Sequence, residues 1–518
     1  MTVSRRSILA AGASSAALGI GLTSRPAAAA TGLPQQQAGS RYVRRDLATL
    51  VDPLTGEWDP ALYWFAKAVG WMMEQPADRW NSWLFQAYTH GSPLPADGTE
   101  PPEWRQCPHG NKYFLPWHRW YVYYFERIVR DVIVTEFGRY DQRNWALPYW
   151  NYAYTERPGG PPAEEFRKVP LAFREEYLPP GLGGRRERNP LYRPFGDPRG
   201  RCIDKDQAMS EETVSPDGAM SQQCFFRETD TLESPPGFSV WLEEYPHGVV
   251  HDAVGGLMGQ VPTAAQDPVF WMHHCNIDRM WCAWLSRDGH TLPTDWQWPK
   301  AWPRHKNNPD APDLPFVFRD ENNESRVLKG PVFDFPQHAY AYDSLTEGTG
   351  SGRPPAADYL GRQPSTADAA ASAGTETRLS RQQTVIALNP ENDRSNNQLR
   401  DALQGDGNVL LVLHGVRADE PVCETFRFFL GDERGDTGAD SSAYVANLVF
   451  FGAVGQRLGA HDDNGHTLSF DVTKVLSDVL AAGTWDGTRT PAVRVVPVHG
   501  GVAPGADARV SEIELVVP

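Results

Sequence analysis

The chain's fourteen histidines are unevenly placed. His90, His109 and His118 form one set; His247, His251 and the adjacent pair His273–His274 form another. His247 and His251 are four apart, so on a helix both imidazoles reach the same side and can hold one metal ion. Adjacent helical residues point about 100° apart. His273 and His274 therefore cannot serve one centre in the same way, and spacing alone leaves open which is the ligand. A zinc protease would carry glutamate directly after the first histidine of H-x-x-x-H; Gly248 stands there instead, so that reading fails. Neutral imidazoles with no carboxylate among them suit copper or zinc better than magnesium, calcium or manganese. Two such sets with open positions suit a dinuclear centre that binds a small molecule between its metals. Other histidines, such as His290, His305, His338, His461 and His466, read as surface or loop residues.

Helices must position these side chains. Asp59-Pro60 opens one, with Asp as cap and Pro in the first turn. "ADRWNSWLFQAYTHG" reads as a second, stopped by Gly91 directly after His90. The longest amphipathic run is Pro116 to Phe137; His118 begins it, His109 lies in the loop before it, and Trp117, Trp120, Tyr121, Tyr124, Ile128 and Val132 form its apolar stripe. Glu126 and Arg130 are spaced to pair on its exposed or half-exposed edge. "YPHGVVHDAVGGLMG" begins another helix. "DPVFWMHHCNIDRMWCAWLSRDG" is a further one, capped by Asp267, started by Pro268 and followed by Gly289. Residues 157–239, rich in Pro, Gly and charge, read as long surface loops. After Tyr342 the composition changes: residues 346–378 read as a flexible linker, and beyond them "VLLVLHGV", "ETFRFFLG", "YVANLVFFG", "HTLSFDV", "AVRVVPVHG" and "VSEIELVV" read as short strands. The expected fold is a mainly α domain over 31–345, whose helical bundle holds the metal site, then an all-β, sandwich-like domain over 379–518.

At this point "DPVFWMHHCNIDRMW" is similar to the second copper signature of the tyrosinase and polyphenol oxidase family, D-P-x-F-x-x-H-H-x-x-x-D-R-x-W. "CPHGNKYFLPWHRWYVYYFER" resembles the first signature, and "PHGVVH" the H-x-x-x-H of the second site. Tyr340-Ala341-Tyr342 resembles the family's Y-x-Y motif, and "RYVRRDL" its arginine-bearing first strand. The resemblance covers about residues 41 to 345. It implies two copper ions with O2 as co-substrate, copper A on His90, His109 and His118, and copper B on His247, His251 and His274. Asp278 would orient neighbouring polar groups, and Arg279 would serve a structural ion pair. Cys107, two residues before His109, resembles the partner in a Cys–His thioether. Glu243, four before His247, corresponds to a water-holding glutamate, with Glu244 facing solvent. Gly248 stands where many tyrosinases have Asn. Asp252 follows His251 as an unusual carboxylate, a candidate base or a site for amine-bearing substrates. Val261 takes a gate position often held by a bulkier residue, which implies an open approach to copper A. The implied activity is oxidation of o-diphenols to o-quinones, with weaker hydroxylation of monophenols because the Asn is missing. An o-aminophenol oxidase and a haemocyanin-like oxygen carrier are the alternatives. The β domain's position implies a lid over the site.

A net charge of −16 makes the chain a poor binder of nucleic acid and of anionic lipid, and no apolar run after the N-terminal segment is long enough for a membrane anchor. Small phenolic substrates are the expected partners. Residues 1–30 carry Arg5-Arg6, an apolar run and "PAAAA", which reads as a twin-arginine export signal cleaved near Ala30, with an extracellular or cell-wall destination. Six cysteines contain no C-x-x-C. Cys202 and Cys224 flank a polar segment and their pairing is left open. Cys275 and Cys282, about 10 Å apart along one helix, are packed thiols.

Overall fold

The computed structural model describes residues 42–518 except 53, 96–97, 155–160, 181–185, 198, 228–235, 295, 299–315, 337–338, 347, 352–354, 363–368, 406, 455–464, 500–502 and 504. The export signal, His305, His338 and His461 lie outside the described residues. Five helices frame the first part: α1 Pro60–Met73, α2 Trp83–His90, α3 Phe114–Thr135, α4 Val249–Val254 and α5 Val269–Leu285, with shorter helical turns between them. Their starts follow from local chemistry. Asp59 accepts from the Ala61 N–H at 2.8 Å, and Ser82 Oγ from the Phe85 N–H at 3.0 Å. Asp267 accepts from the Val269 N–H and is itself gripped by the buried Arg201 through two bonds of 2.8 and 2.7 Å. That ion pair ties the long connecting region to the start of α5. Residues expected as surface loops between 157 and 239 thus include fully buried anchors such as Phe173 and Arg201.

α3 and α5 pack on each other, with the Phe125 and Trp271 rings stacked at 12°. A buried charge network joins them. Asp278 of α5 receives Arg119 at 2.6 Å, Arg44 at 3.1 Å and the hydroxyls of Tyr340 and Tyr342 at 2.5 and 2.6 Å. Arg44 also donates to Glu126 at 2.7 Å. Strand Val43–Arg44 pairs with strand Ala341–Tyr342, so this network closes the two ends of the helical part. Glu126 and Arg130 do pair, at 2.7 Å, but Glu126 is wholly buried rather than on an exposed edge, because Arg44 also needs its charge. Arg279 lies over the Tyr149 ring at 4.7 Å.

Among the described residues the remainder is all β apart from two helices, Ser395–Gln404 and Thr473–Ala482. A six-stranded and a four-stranded antiparallel sheet meet through Phe428 and Phe470, whose rings are 5.1 Å apart. All six expected strand segments contribute strands. The stretch 346–378 differs from its reading as a flexible linker. Asp358–Gly361 and Ala369–Ala373 are strands of the six-stranded sheet, and Thr377–Arg378 pairs with Arg509–Val510. Small residues can form strands where partners are supplied from distant sequence. His466 is likewise a buried strand residue, not a surface one. "YVANLVFFG" is a strand only from Tyr444 to Asn447; its apolar remainder leaves the sheet toward the histidines. The apolar core runs unbroken through helices and sheets. The disulfide is Cys202–Cys423, across 221 residues, and Cys224 is free. Cys275 and Cys282 are buried free thiols, as expected.

Candidate metal centre

His90 is the last residue of α2. Gly91 follows it because a Cβ there would stand 2.8 Å from the Val261 carbonyl oxygen. That close approach lets His90 Nδ1 bond the same carbonyl at 2.9 Å. The pattern recurs. His118 Nδ1 meets the Phe114 carbonyl at 2.7 Å, His247 Nδ1 that of Glu243 at 2.7 Å, and His251 Nδ1 that of Met258 at 2.7 Å. Each carbonyl can only accept, so each Nδ1 carries the proton and each Nε2 keeps its lone pair for a metal. Burial holds these rings neutral: His90 and His247 are pushed down to about 3, and His118, His251 and His274 lie well below the ordinary range. The buried Nε2 atoms of His90 and His247 have no hydrogen-bond partner. A buried, unpartnered, neutral imidazole nitrogen is a donor suited to first-row metal ions such as copper or zinc.

The structure gathers the expected residues into two groups, each with one donor atom per residue within 4.8 Å of the others: His90, Cys107, His109 and His118, and His247, His251, His273 and His274. The groups touch: His118 and His274 stack at 4.5 Å and 11°. Within the second group the adjacent histidines differ. His274 Nε2 faces His251 Nε2 at 3.3 Å, as two donors to one ion would. His273 Nδ1 faces the Tyr152 hydroxyl at 3.2 Å, and its ring stacks on His247 at 5.4 Å. Cys107 Sγ lies 3.5 Å from His109 Nδ1 and 3.2 Å from His118 Nε2. Burial raises its thiol well above the usual value, so it is a neutral neighbour and not a thiolate.

The four residues expected to shape substrate chemistry all border this centre. Glu243 takes the Gly110 N–H on one oxygen, its other oxygen has no partner, and burial lifts its carboxyl to about 8. Glu244 is buried rather than solvent-facing, held by Arg362 at 2.6 Å. Val261 acts on His90 through its carbonyl oxygen. Gly248 is buried, and a Cβ there would stand 2.7 Å from Val449 Cγ1. Asp252, lifted to about 8 by burial, accepts the N–H groups of Phe450 and Phe451 at 2.7 and 3.2 Å.

Val449, Phe450 and Phe451 belong to the β part, and sequence reasoning placed them in a strand. The Phe451 ring stacks on His251 at 3.9 Å and 11°, with its neighbours His247 and His109 edge-on at 5.5 Å. The one available signal was an apolar run, "LVFF", longer than an alternating strand needs. Nothing in the sequence said where it would insert. Supporting contacts surround the plug: Tyr245 donates to the Asn447 carbonyl at 2.8 Å, Arg427 pairs with Glu212 at 2.7 Å, and Tyr359 meets Trp241 and Tyr245 edge-on.

Residues 80–287 match the tyrosinase family, described as the common central domain of tyrosinase. A tyrosinase of Hahella sp. (strain CCB-MM4) is 31% identical over 291 residues, covering 51% of this chain and 57% of that protein. Chloroplastic polyphenol oxidase II of Ipomoea batatas is 27% identical over 305 residues, covering 54% and 47%. The chain thus spans about half the length of these relatives. The structure of latent apple tyrosinase superposes with a TM-score of 0.51 at 21% identity, over 93% of this chain and 98% of that one, which is a likeness of fold.

Proposed function

The chain belongs, through residues 80–287, to the tyrosinase and polyphenol oxidase family, and from that premise we propose that it is a copper-dependent oxidase of o-diphenols kept latent by its own β part. The observation that carries this is the convergence of two sets of imidazoles in which backbone carbonyls fix Nδ1 of His90, His118, His247 and His251 and so leave their Nε2 lone pairs for metal. His90, His109 and His118 would hold one copper, and His247, His251 and His274 the other. The copper pair supplies O2 activation and electron transfer. Two o-diphenols give up four electrons and four protons, and one O2 becomes two waters. This chain's residues do the rest. Glu243, beside His247 with one free oxygen, is suited to hold a water that takes the phenolic proton. Gly248 offers no amide to fix that water, which favours diphenols over monophenols. Cys107 lies close enough to His109 for a thioether, which intact-mass measurement would show as a loss of two hydrogens.

Latency is read from Phe451, which occupies the face of His251 that a phenol would need. The Arg5-Arg6 segment supports export, and a latent enzyme would spare the cell its reactive quinones until then.

The test is a panel of 4-methylcatechol, tyrosine and o-aminophenol at matched copper content. Faster oxidation of 4-methylcatechol is expected. Preference for o-aminophenol would reassign the substrate, and copper binding with no turnover even after the β part has been cut free would remove the oxidase reading.

A further inference from the structure

Behind the first histidine set stands a dry tryptophan. The Trp117 ring lies 4.9 Å from that of His118 and 6.3 Å from that of His90. It is wholly buried, and among the described residues its indole N–H has no acceptor. A buried polar group without a partner calls for a reason. An indole gives up one electron more readily than an imidazole or a benzene ring. With no acceptor for its proton, an oxidised Trp117 stays a cation that readily takes the electron back.

Two routes of touching rings leave Trp117. One runs to Tyr121 at 4.8 Å and on to Trp271 at 4.7 Å, in the interior. The Tyr121 hydroxyl donates to the Gln86 carbonyl at 2.5 Å, and a carbonyl does not take over a phenol's proton, so an oxidised Tyr121 has no proton exit. The other route passes Phe318 at 5.4 Å and reaches Tyr124, whose ring lies 5.6 Å from Phe318 and 23° from parallel to it. Tyr124 in turn touches Tyr123 at 5.3 Å and Trp120 at 5.8 Å, both half-buried. The Tyr123 hydroxyl accepts from Arg127 Nη1 at 3.2 Å, which leaves its own proton free for solvent. A phenol that sheds its proton with its electron is easier to oxidise than a buried indole that cannot. For an oxidising equivalent the second route therefore runs downhill, from a ring beside the ligand histidines to the surface.

We propose that Trp117, Phe318, Tyr124 and the surface pair Tyr123 and Trp120 form an electron relay that keeps stray oxidation off His90 and His118. This rests on the copper reading above and on no particular substrate. The stray event is hydrogen peroxide meeting reduced copper with no phenol bound. Peroxide becomes two waters by taking two electrons and two protons. One electron comes from the copper, and the other from Trp117 in place of a ligand imidazole. Trp117 is refilled through Tyr124 from Tyr123, which releases its phenolic proton to water. Phe318 is not oxidised and supplies only contact between the rings. A dissolved catechol or ascorbate then returns one electron and one proton to Tyr123.

The test uses the copper-loaded full chain, reduced with ascorbate, freed of it and given small pulses of hydrogen peroxide without any phenol. Two readouts are independent of turnover. Electron paramagnetic resonance of rapidly frozen samples identifies the radical. Peptide mass spectrometry finds the rings that gain an oxygen, which comes from water as the ring loses two electrons and two protons. The wild type is expected to show a tyrosyl radical, with added oxygen on Tyr123 and Trp120 and with His90 and His118 intact. Tyr123→Phe should replace the tyrosyl signal by a tryptophan one. Tyr123→Phe combined with Trp120→Phe should move the added oxygen back to Trp117 and His118, with loss of copper after fewer pulses. Should the double variant fail to fold, the change of radical in Tyr123→Phe decides. Tyr140, 70% exposed and off the route, is the control. Marking of Tyr140 equal to that of Tyr123 shows a diffusing oxidant and overturns the relay, as does a pattern unmoved by the variants. Copper held normally while His90 or His118 is oxidised first in the wild type refutes the relay alone. A chain that takes up no copper removes the copper reading and the relay with it.

Discussion

His273 and His274 are neighbours on α5 in different surroundings. One faces a tyrosine hydroxyl and the other faces a second imidazole nitrogen. His274→Ala is expected to lose one of two coppers and nearly all turnover, and His273→Ala to keep both metals. Metal analysis of the two purified variants checks this, and the reverse pattern would exchange the assignment. Gly248 has a double role for a steric reason. Any side chain there meets Val449 at the seat of the plug. Gly248→Asn should therefore do two things: raise the monophenol-to-diphenol ratio, by offering an amide near the water site, and raise basal catechol turnover of the uncleaved chain, by unseating the plug. Turnover measured before any proteolysis separates the second effect from the first. An asparagine variant with wild-type latency would show that the loop adjusts around the added atoms.

At the scale of elements, α5 is the part most dependent on others. Its N-terminus is held by Arg201 and its middle by the group around Asp278. Removing one member of a buried ion network costs about 3–5 kcal/mol, because the remaining charges stay buried without compensation. Asp278→Asn strands Arg44 and Arg119 in this way. It should lower the unfolding free energy of the copper-free chain by about that amount, as read by denaturant titration. Burial alone would raise the Asp278 carboxyl, but Arg119 and Arg44 outweigh it and hold it below the usual range. A folded-state value below the unfolded one means this stability is present above the ordinary carboxylate range and is lost as pH falls through the lower, folded value. Unfolding should ease on acidification for that reason, and less so in Asp278→Asn.

For the whole molecule, the joint between helical and β parts is covalent as well as packed. Cys202 and Cys423 bridge it, with Cα atoms 5.1 Å apart. Cutting an engineered protease site within residues 351–356 should therefore leave the β part attached. Full catechol turnover is expected only when the cut chain is also treated with a dithiol, which passes two electrons and two protons to the bridge, or when the cut is made in Cys423→Ser. Turnover at matched copper content, alongside non-reducing electrophoresis, reports both events. A cut, unreduced chain already at full rate would show that the plug leaves without release of its domain.

The sequence by itself determined the helices, their caps and the strand segments, because these depend on periodicity, local capping and short spacing. H-x-x-x-H brings two imidazoles together on any helix. The choice of His274 over His273 came from motif resemblance; both rings lie in the second group of possible metal donors. Contacts distant in sequence were decided only by the tertiary structure. Cys202 chose Cys423 over the nearer Cys224 because folding sets the distance between thiols, whereas sequence separation does not. The alanine-rich stretch before residue 378 became sheet because partner strands were waiting for it. Asp252 met two backbone N–H groups from about two hundred residues away. "LVFF" was legible as apolar, but only the packed molecule could decide that its burial lies against the histidines and not within its own sheet.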